Sequence, residues 1–317
     1  MKNAVIRGTG SYIPEKQLTN IELESMLDTS DEWIVSRTGI SSRSIAQPHE
    51  TTSYMAAKAA EQALEASSLN ADEIDLILVA TCTPDHFFPG VACYVQHALK
   101  MKRPIPAFDV GAACSGFVYV MDIAKQYIAT GAAQNILVIG SESMSRAVDW
   151  TDRATCVLFG DGAGALVLSA SDREGVMGSV IHASYDAEKL LNLSNATFHD
   201  QRATITMRGN EVFKIAVKIM GDVVDEVLEA SQLKKSDIQW LIPHQANMRI
   251  IQAIAKKLDL PMSQVIVTIG SQGNTSAASI PLALDHSIRT NQIKRDELLL
   301  IESFGGGMTW GAMVIRY

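Results

Sequence analysis

The sequence predicts an α/β protein made of two similar halves. Two observations carry this. Short apolar runs of strand length alternate with helical patterns along the whole chain, as expected for buried central strands covered by helices. The order of segments before residue 170 then recurs after it, at an offset of about 160 residues.

In order, residues 5–8 read as a first strand. Thr19 precedes an acidic helix start at Asn20, and a second helix begins at Asp31. Residues 52–67 form an Ala-rich helix, 74–80 an apolar strand and 91–99 the helix behind it. An apolar run over 105–110 enters a small-residue turn, and a long helix follows to Thr130 and Gly131. Residues 135–140 are a strand, and 156–159 with 163–170 predict a hairpin turning at Gly160-Asp-Gly. In the second half Ser236-Asp-Ile-Gln-Trp echoes Ala71-Asp-Glu-Ile-Asp, and 247–258 takes the place of the helix at 91–99. A strand at 265–269 runs into the turn at Gly273, and 297–301 and 311–315 supply the last strands. We therefore expect halves at 1–170 and 171–317, with the Cys114 and Asn274 turns facing a shared centre.

The composition is that of an ordinary globular chain: 47% hydrophobic and 20% charged, with a net charge of −8. The acidic balance argues against a nucleic-acid partner. The apolar run in Met1–Gly10 is too short for a signal core and no stretch reaches membrane-spanning length, so we expect a cytoplasmic protein without membrane insertion. The four cysteines (82, 93, 114 and 156) lack CxxC spacing and suitably spaced histidines, so no metal site and no disulfide framework is expected.

Cys114 stands where a strand meets a helix, among Gly111, Ala112, Ala113, Ser115 and Gly116. A helix start favours a thiolate, and small neighbours admit a substrate to the sulfur. His244 is the first side chain past the apolar strand ending at Pro243. Asn274 occupies a turn of small residues. The run Gly305-Gly-Gly reads as backbone N–H groups exposed to an oxyanion rather than as packing. Cys, His, Asn and a glycine turn form one coherent set for acyl transfer: a thiol to carry the acyl group, and donors for developing negative charge. A papain-like protease shares the residue types but not the sequence around Cys114 or the duplication.

These motifs closely resemble the β-ketoacyl-acyl-carrier-protein synthase III family of thiolase-like condensing enzymes. The resemblance spans the chain: Thr29-Ser-Asp-Glu-Trp-Ile, Arg37-Thr-Gly-Ile, Ala113-Cys-Ser-Gly, Thr151-Asp-Arg, Phe159-Gly-Asp-Gly, Gly209-Asn-Glu-Val-Phe-Lys, Pro243-His-Gln-Ala-Asn, Gly273-Asn-Thr-Ser-Ala-Ala-Ser and Phe304-Gly-Gly-Gly-Met-Thr-Trp-Gly. It implies a five-layered α-β-α-β-α fold and a homodimer. It also implies an initiating condensing enzyme of type II fatty acid synthesis that needs no cofactor, coenzyme A thioester being its substrate. Cys114 would take an acyl group from acetyl-CoA or another short acyl-CoA. His244 and Asn274 would bind the malonyl-acyl carrier protein thioester and stabilise the enolate formed by decarboxylation. The backbone N–H groups of Cys114 and Gly306 would form the oxyanion hole.

The same resemblance assigns Trp33 and Arg153 to clamp the adenine of coenzyme A, with Arg37 close by. Gly209, Ala246 and Asn247 would line the pantetheine channel. Arg249, Lys256 and Lys257, spaced seven and eight apart on one helix, form a basic stripe on an acidic protein, joined by Lys214 and Lys218. It suits an acidic carrier protein. Phe87 and Phe88 lie where family members close the acyl pocket of the partner subunit, which points to short straight primers. A relative with the same triad, such as a quinolone- or polyketide-type synthase, is the alternative enzyme. A carrier-binding scaffold with a dead site predicts loss of Cys, His or Asn, and all three are present.

Overall fold

The computed structural model describes residues 1–196 and 203–317. The chain opens with β1 (Asn3–Tyr12), longer than expected, and a ribbon of β2 (Gln17–Thr19) and β3 (Ser42–Ser44) around α1 (Asn20–Glu24) and α2 (Asp31–Thr38). Thr19 and Glu22 close a capping box on α1, and the Ser30 hydroxyl caps α2. Then come α3 (Thr52–Ser67), β4 (Leu76–Ala80), α4 (Val91–Ala98), β5 (Ala107–Val110), α5 (Gly116–Ala129), β6 (Asn135–Ser143) and β7 (Asp161–Ser171). The later part holds β8 (Val176–Ala183), β9 (Leu191–Leu193), β10 (Ile205–Met207), α6 (Gly209–Ala230), β11 (Trp240–Pro243) and α7 (Met248–Lys257). It ends with α8 (Ile269–Gln272), α9 (Ser279–Arg289), β12 (Leu298–Gly305) and β13 (Thr309–Arg316).

Two sheets repeat one strand order. The first runs β1-β7-β6-β4-β5 and the second β8-β13-β12-β11. In each, one side of the sheet is parallel (β6, β4 and β5 in the first, β12 and β11 in the second) and the other is antiparallel (β1, β7 and β6; β8, β13 and β12). Helices α5 and α9 lie between the sheets and are buried along most of their length, as helices with apolar surface on both faces must be. The faces of α3 and α4 cover the outer side of the first sheet, and α6 and α7 that of the second. The result is the five-layered thiolase-like arrangement.

Two strand expectations fail. Residues 156–158 are turn and Phe159 forms only an isolated parallel bridge to Asn274, not half of a hairpin, and β7 pairs instead with β1 and β6. The backbone there is taken by the second half: Asn274 N–H donates to Leu158 O at 2.8 Å, and Gly160 N–H donates to Asn274 O at 3.0 Å. The counterpart of β5 in the second sheet shrinks to a single parallel bridge between Leu241 and Val265. Residues from Ile269 wind into α8 before the Asn274 turn.

Sheet and turn approach so closely that only glycine fits. A Cβ on Gly140 of β6 would lie 2.3 Å from the Ala277 carbonyl, and one on Gly305 of β12 would lie 2.7 Å from the Cys114 amide nitrogen. Each half thus presses a strand on the turn that opens the other half's central helix. That contact fixes Cys114 and the Asn274 turn around a common centre.

Candidate active site

The parallel strand β5 delivers the chain to a one-turn 3₁₀ segment, Ala113–Ser115, directly before α5. Ala113 takes φ +46°, a left-handed value that costs a non-glycine residue energy and persists only where the surroundings enforce it. Those surroundings are visible. Ser303 Oγ donates to Cys114 O at 2.8 Å, Thr309 Oγ1 donates to Ala112 O at 2.9 Å, and Ser115 Oγ donates to Thr309 Oγ1 at 2.7 Å. The turn is therefore held by β12 and β13 of the other half. Cys114 itself is buried.

The thiolate expected from the helix start is not the resting state. Burial pushes the Cys114 thiol up to about 11, against which the Ser276 hydroxyl and the residue's own N–H pull down, while the nearby Glu142 pushes further up. Desolvation outweighs the helix end because the sulfur lies inside the pocket rather than at its surface.

His244 leaves the end of β11 with its N–H donating to Glu302 O at 2.9 Å. Its ring is buried and neutral, its pKa driven down to about 3 by desolvation alone. Nδ1 lies 2.6 Å from Ser279 Oγ, on the first turn of α9. That oxygen already receives the Gln245 N–H at 3.3 Å. A Ser279 hydroxyl that donates to Nδ1 leaves the ring proton on Nε2, which makes that nitrogen a donor rather than a base. Asn274 accepts the Ser276 N–H on Oδ1 at 2.9 Å, freeing its Nδ2 to donate.

Cys114, His244, Asn274 and Gly306 line one cavity of about 450 Å³. Its walls also carry every residue expected to meet coenzyme A: Trp33, Arg37, Arg153, Gly209, Ala246 and Asn247. Two of these are otherwise engaged. The Arg153 guanidinium stacks directly on the Trp33 ring at 4.7 Å and donates to Asp28 O at 2.6 Å, whereas a ring clamped between them needs roughly 7 Å. The Asn247 side chain caps α7 through Oδ1 and donates to Arg37 O at 3.0 Å, so it ties α7 to α2.

The basic stripe is narrower than its spacing suggested. Lys214, Lys218, Arg249 and Lys256 are exposed with no ion-pair partner among the described residues, and Arg249 sits 5.4 Å over the Phe213 ring. Lys257 instead lies across Gly221 of α6 and pairs with Asp222 at 2.8 Å, because one further residue turns it towards the neighbouring helix. Phe87 and Phe88 are exposed, at 72% and 86%, and neither reaches the Cys114 cavity of its own chain.

Gly305 corrects one expectation: it is required for packing against the Cys114 amide. Gly306 lines the cavity as expected. Ser276, Ser279, Glu142 and Cys82 escaped the sequence reading. Ser276 and Ser279 stand inside the Asn274 motif, but nothing in a serine's spacing tells which partner it meets across the fold. Among the described residues no group of three or more His, Cys, Asp or Glu side chains could hold a metal ion, and no helix is long and apolar enough to cross a membrane.

A duplicated five-layered fold with a cysteine at one turn and a neutral histidine and an asparagine from the other half defines a thiolase-like acyl-transfer enzyme. Comparison with known proteins narrows the class. Models of 3-oxoacyl-[acyl-carrier-protein] synthase III match residues 108–184 and, for its C-terminal part, 228–317. The chain is 52% identical to the β-ketoacyl-[acyl-carrier-protein] synthase III of Alkalilimnicola ehrlichii over 323 aligned residues, covering 100% of both chains. The crystal structure of the synthase III from Aquifex aeolicus superposes with a TM-score of 0.95 at 49% identity, covering 99% of this chain and 100% of that one. A priming β-ketosynthase of the R1128 polyketide pathway superposes at 0.94 with 34% identity, covering 99% of this chain and 96% of that one. The chain belongs to the β-ketoacyl-[acyl-carrier-protein] synthase III family and is an acyltransferase of fatty acid biosynthesis.

Proposed function

We propose that the chain starts type II fatty acid synthesis by two half-reactions at Cys114. The sulfur attacks the thioester carbonyl of acetyl-CoA or another short acyl-CoA and keeps the acyl group. The backbone N–H groups of Cys114 and Gly306 stabilise the tetrahedral oxyanion. Malonyl-acyl carrier protein then enters the same cavity, its thioester carbonyl held by His244 Nε2–H and Asn274 Nδ2. Loss of carbon dioxide leaves an enolate, whose charge those two neutral donors stabilise. The carbanion attacks the acyl-cysteine, giving a 3-oxoacyl-acyl carrier protein and the free thiol. Coenzyme A is a substrate here, and no further cofactor enters these steps.

The observation that carries this reading is the single cavity that joins a buried thiol to two donors supplied by the other half. Trp33 and Arg153 hold the adenine once Arg153 swings off the indole. The pantetheine passes Arg37, Gly209, Ala246 and Asn247. Lys214, Arg249 and Lys256 attract the acidic carrier protein, with Lys257 a weaker contributor because Asp222 already pairs with it. Halves dividing near residue 170, a homodimer in which Phe87 or Phe88 closes the partner's acyl pocket, and a cytoplasmic location complete the proposal. Exposed aromatic side chains that do not line the chain's own cavity support the homodimer.

The test is the intact mass of the protein after incubation with acetyl-CoA, beside Cys114→Ala. One acetyl adduct, absent from the variant and discharged by malonyl-acyl carrier protein, supports the reading. No adduct with any acyl-CoA refutes it. Charge reversal at Lys256, which does not line the cavity, should raise KM for the carrier-bound malonyl group and leave free malonyl-CoA unaffected. A second reading, a priming condensing enzyme of polyketide synthesis, is favoured by the R1128 likeness. Discharge by a polyketide carrier protein in preference to that of fatty acid synthesis would select it.

A further inference from the structure

An acyl group on Cys114 has its coenzyme A towards Trp33 and Arg153, so its alkyl end runs away from that mouth. We propose that Cys82 sets the length of the acyl primer, as the wall between the catalytic cavity and a second hollow behind it. This rests on the functional reading above.

The sheet places Cys82 beside the nucleophile. Strands β5, β4 and β6 are parallel neighbours, with Val110 opposite Ala80 and Ala80 opposite Gly140. Their carboxyl ends therefore share one edge, where Cys114 follows β5, Cys82 follows β4 and Glu142 stands near the end of β6. The Thr81 N–H donates to Val110 O at 3.4 Å, so the chain leaves the sheet at Cys82 next to the strand that leads to Cys114. Cys82 Sγ lies 4.0 Å from Ser276 Oγ, and both side chains line the catalytic cavity with Cys114.

Cys82 also lines a second hollow of about 840 Å³, whose walls include Thr52, Thr83, Phe87, Phe88, Ser143 and Ala147. Among the described residues only Cys82 and Leu193 belong to both walls. The two are held differently. The Cys82 N–H donates to the Glu142 carboxylate at 3.1 Å, and the Cys82 thiol donates to it at 3.1 Å. Thr81 Oγ1 at 3.2 Å and Thr83 Oγ1 at 2.5 Å donate to the same carboxylate from either side. Glu142 is wholly buried, so moving Cys82 aside strips donors from a carboxylate that has no water to replace them. Leu193 stands on the three-residue strand β9, which pairs with β10 alone. Cys82 is thus the fixed part of the wall. A longer straight alkyl chain meets its side chain instead of displacing it, and the apolar surface of Phe87, Phe88 and Ala147 stays out of reach behind it.

The experiment is competitive acylation of the full chain by equimolar acetyl-CoA and octanoyl-CoA, read as the ratio of the two adducts by intact mass. Both adducts come from one sample, so the ratio does not depend on how much protein is folded. Cys82→Gly opens the wall and should raise the octanoyl-to-acetyl ratio at least about tenfold, the gain from burying two more methylene groups. Cys82→Ala keeps the backbone bond to Glu142 and removes only the sulfur. It should shift the ratio the same way by about fourfold, one methylene's worth, which keeps the test available if Cys82→Gly does not fold. Cys82→Ser is of similar size and still donates to Glu142, so its ratio should stay within about twofold of wild type.

An unchanged ratio in the glycine and alanine variants overturns the proposal. That result follows if an aromatic side chain of the partner subunit alone stops the primer or fills the second hollow. A general loss of stability lowers both adducts together and also leaves the ratio unmoved. A shift in Cys82→Ser as large as that in Cys82→Gly overturns it too, because the thiol's chemistry and not its size would then set the choice. Absence of either adduct on the wild-type protein overturns the functional reading itself, and is read from the wild-type arm alone.

Discussion

Ser279→Ala separates the two half-reactions. Among the described residues the Ser279 hydroxyl is the only group hydrogen-bonded to His244 Nδ1, at 2.6 Å, and it also receives the Gln245 N–H. Its loss leaves a buried ring nitrogen without a partner, which costs roughly 1–3 kcal/mol, and removes the device that keeps the proton on Nε2. If the ring's donor strength matters only for the enolate, the loss falls on condensation as about a 5- to 150-fold decrease. Acylation of Cys114 does not use the ring and should stay within about twofold of wild type. The assay loads the variant with acetyl-CoA, removes excess, and follows disappearance of the acetyl adduct on mixing with malonyl-acyl carrier protein. Equal loss in both half-reactions would show that Ser279 merely supports the fold. No loss in either would show that it does not orient His244.

The other predictions concern stability and packing. Because native His244 titrates near 3 and an unfolded histidine at 6.5, the unfolded state binds the extra proton first as pH falls. Its contribution to stability is present above pH 6.5 and lost progressively towards 3. The loss amounts to about 2 kcal/mol between pH 7 and pH 5, and urea unfolding of His244→Gln should be flatter over that range. Glu302 has neither carboxyl oxygen hydrogen-bonded among the described residues, and burial holds its pKa well above 4.5. It is thus harmless below pH 4.5 and destabilising as pH rises from there, so Glu302→Gln should raise Tm more at pH 8 than at pH 5. Gly305→Ala would set a methyl 2.7 Å from the Cys114 nitrogen and 3.1 Å from that of Ser115. Both are backbone atoms that cannot step aside, so acylation should drop and stability fall by about 1–3 kcal/mol. Gly111→Ala, whose methyl meets nothing within 4 Å, is the control for the same turn.

The fold was largely legible because its signals are local or periodic. The strands at β4, β6 and β12 are continuous apolar runs, and the duplication placed Cys114 and Asn274 opposite each other before any coordinate was known. Legibility stopped where one half borrows from the other. Residues 156–159 look like strand, but their hydrogen bonds go to the Asn274 turn, a partner over 110 positions away that no window of sequence contains. Asn247 was legible as a cavity residue, but not as the cap that joins α7 to α2. Cys114 illustrates the same limit in its electrostatics. The helix start is written in the sequence, whereas the burial that outweighs it depends on the walls of a cavity built from both halves.

That dependence explains why a duplicated fold ends with an asymmetric site. The two central turns are backbone equivalents: each opens an inter-sheet helix from a 3₁₀ segment, and each begins with a non-glycine residue at positive φ, Ala113 in one and Ser276 in the other. Each is pressed by a glycine or a neighbouring hydroxyl from the opposite sheet, Gly140 on Ala277 and Ser303 and Gly305 on Cys114. With the backbone work shared equally, the side chains are free to differ. The first turn carries the thiol. The second carries Asn274 and Ser276, whose hydroxyl donates to the buried Glu142. Neither turn assembles this set alone: Cys114 stands on the first, and Asn274 and Ser276 stand on the second. Placing nucleophile and donors on opposite turns leaves the gap in which a thioester carbonyl fits, and the rigid sheet-to-turn contacts keep that gap fixed through both half-reactions.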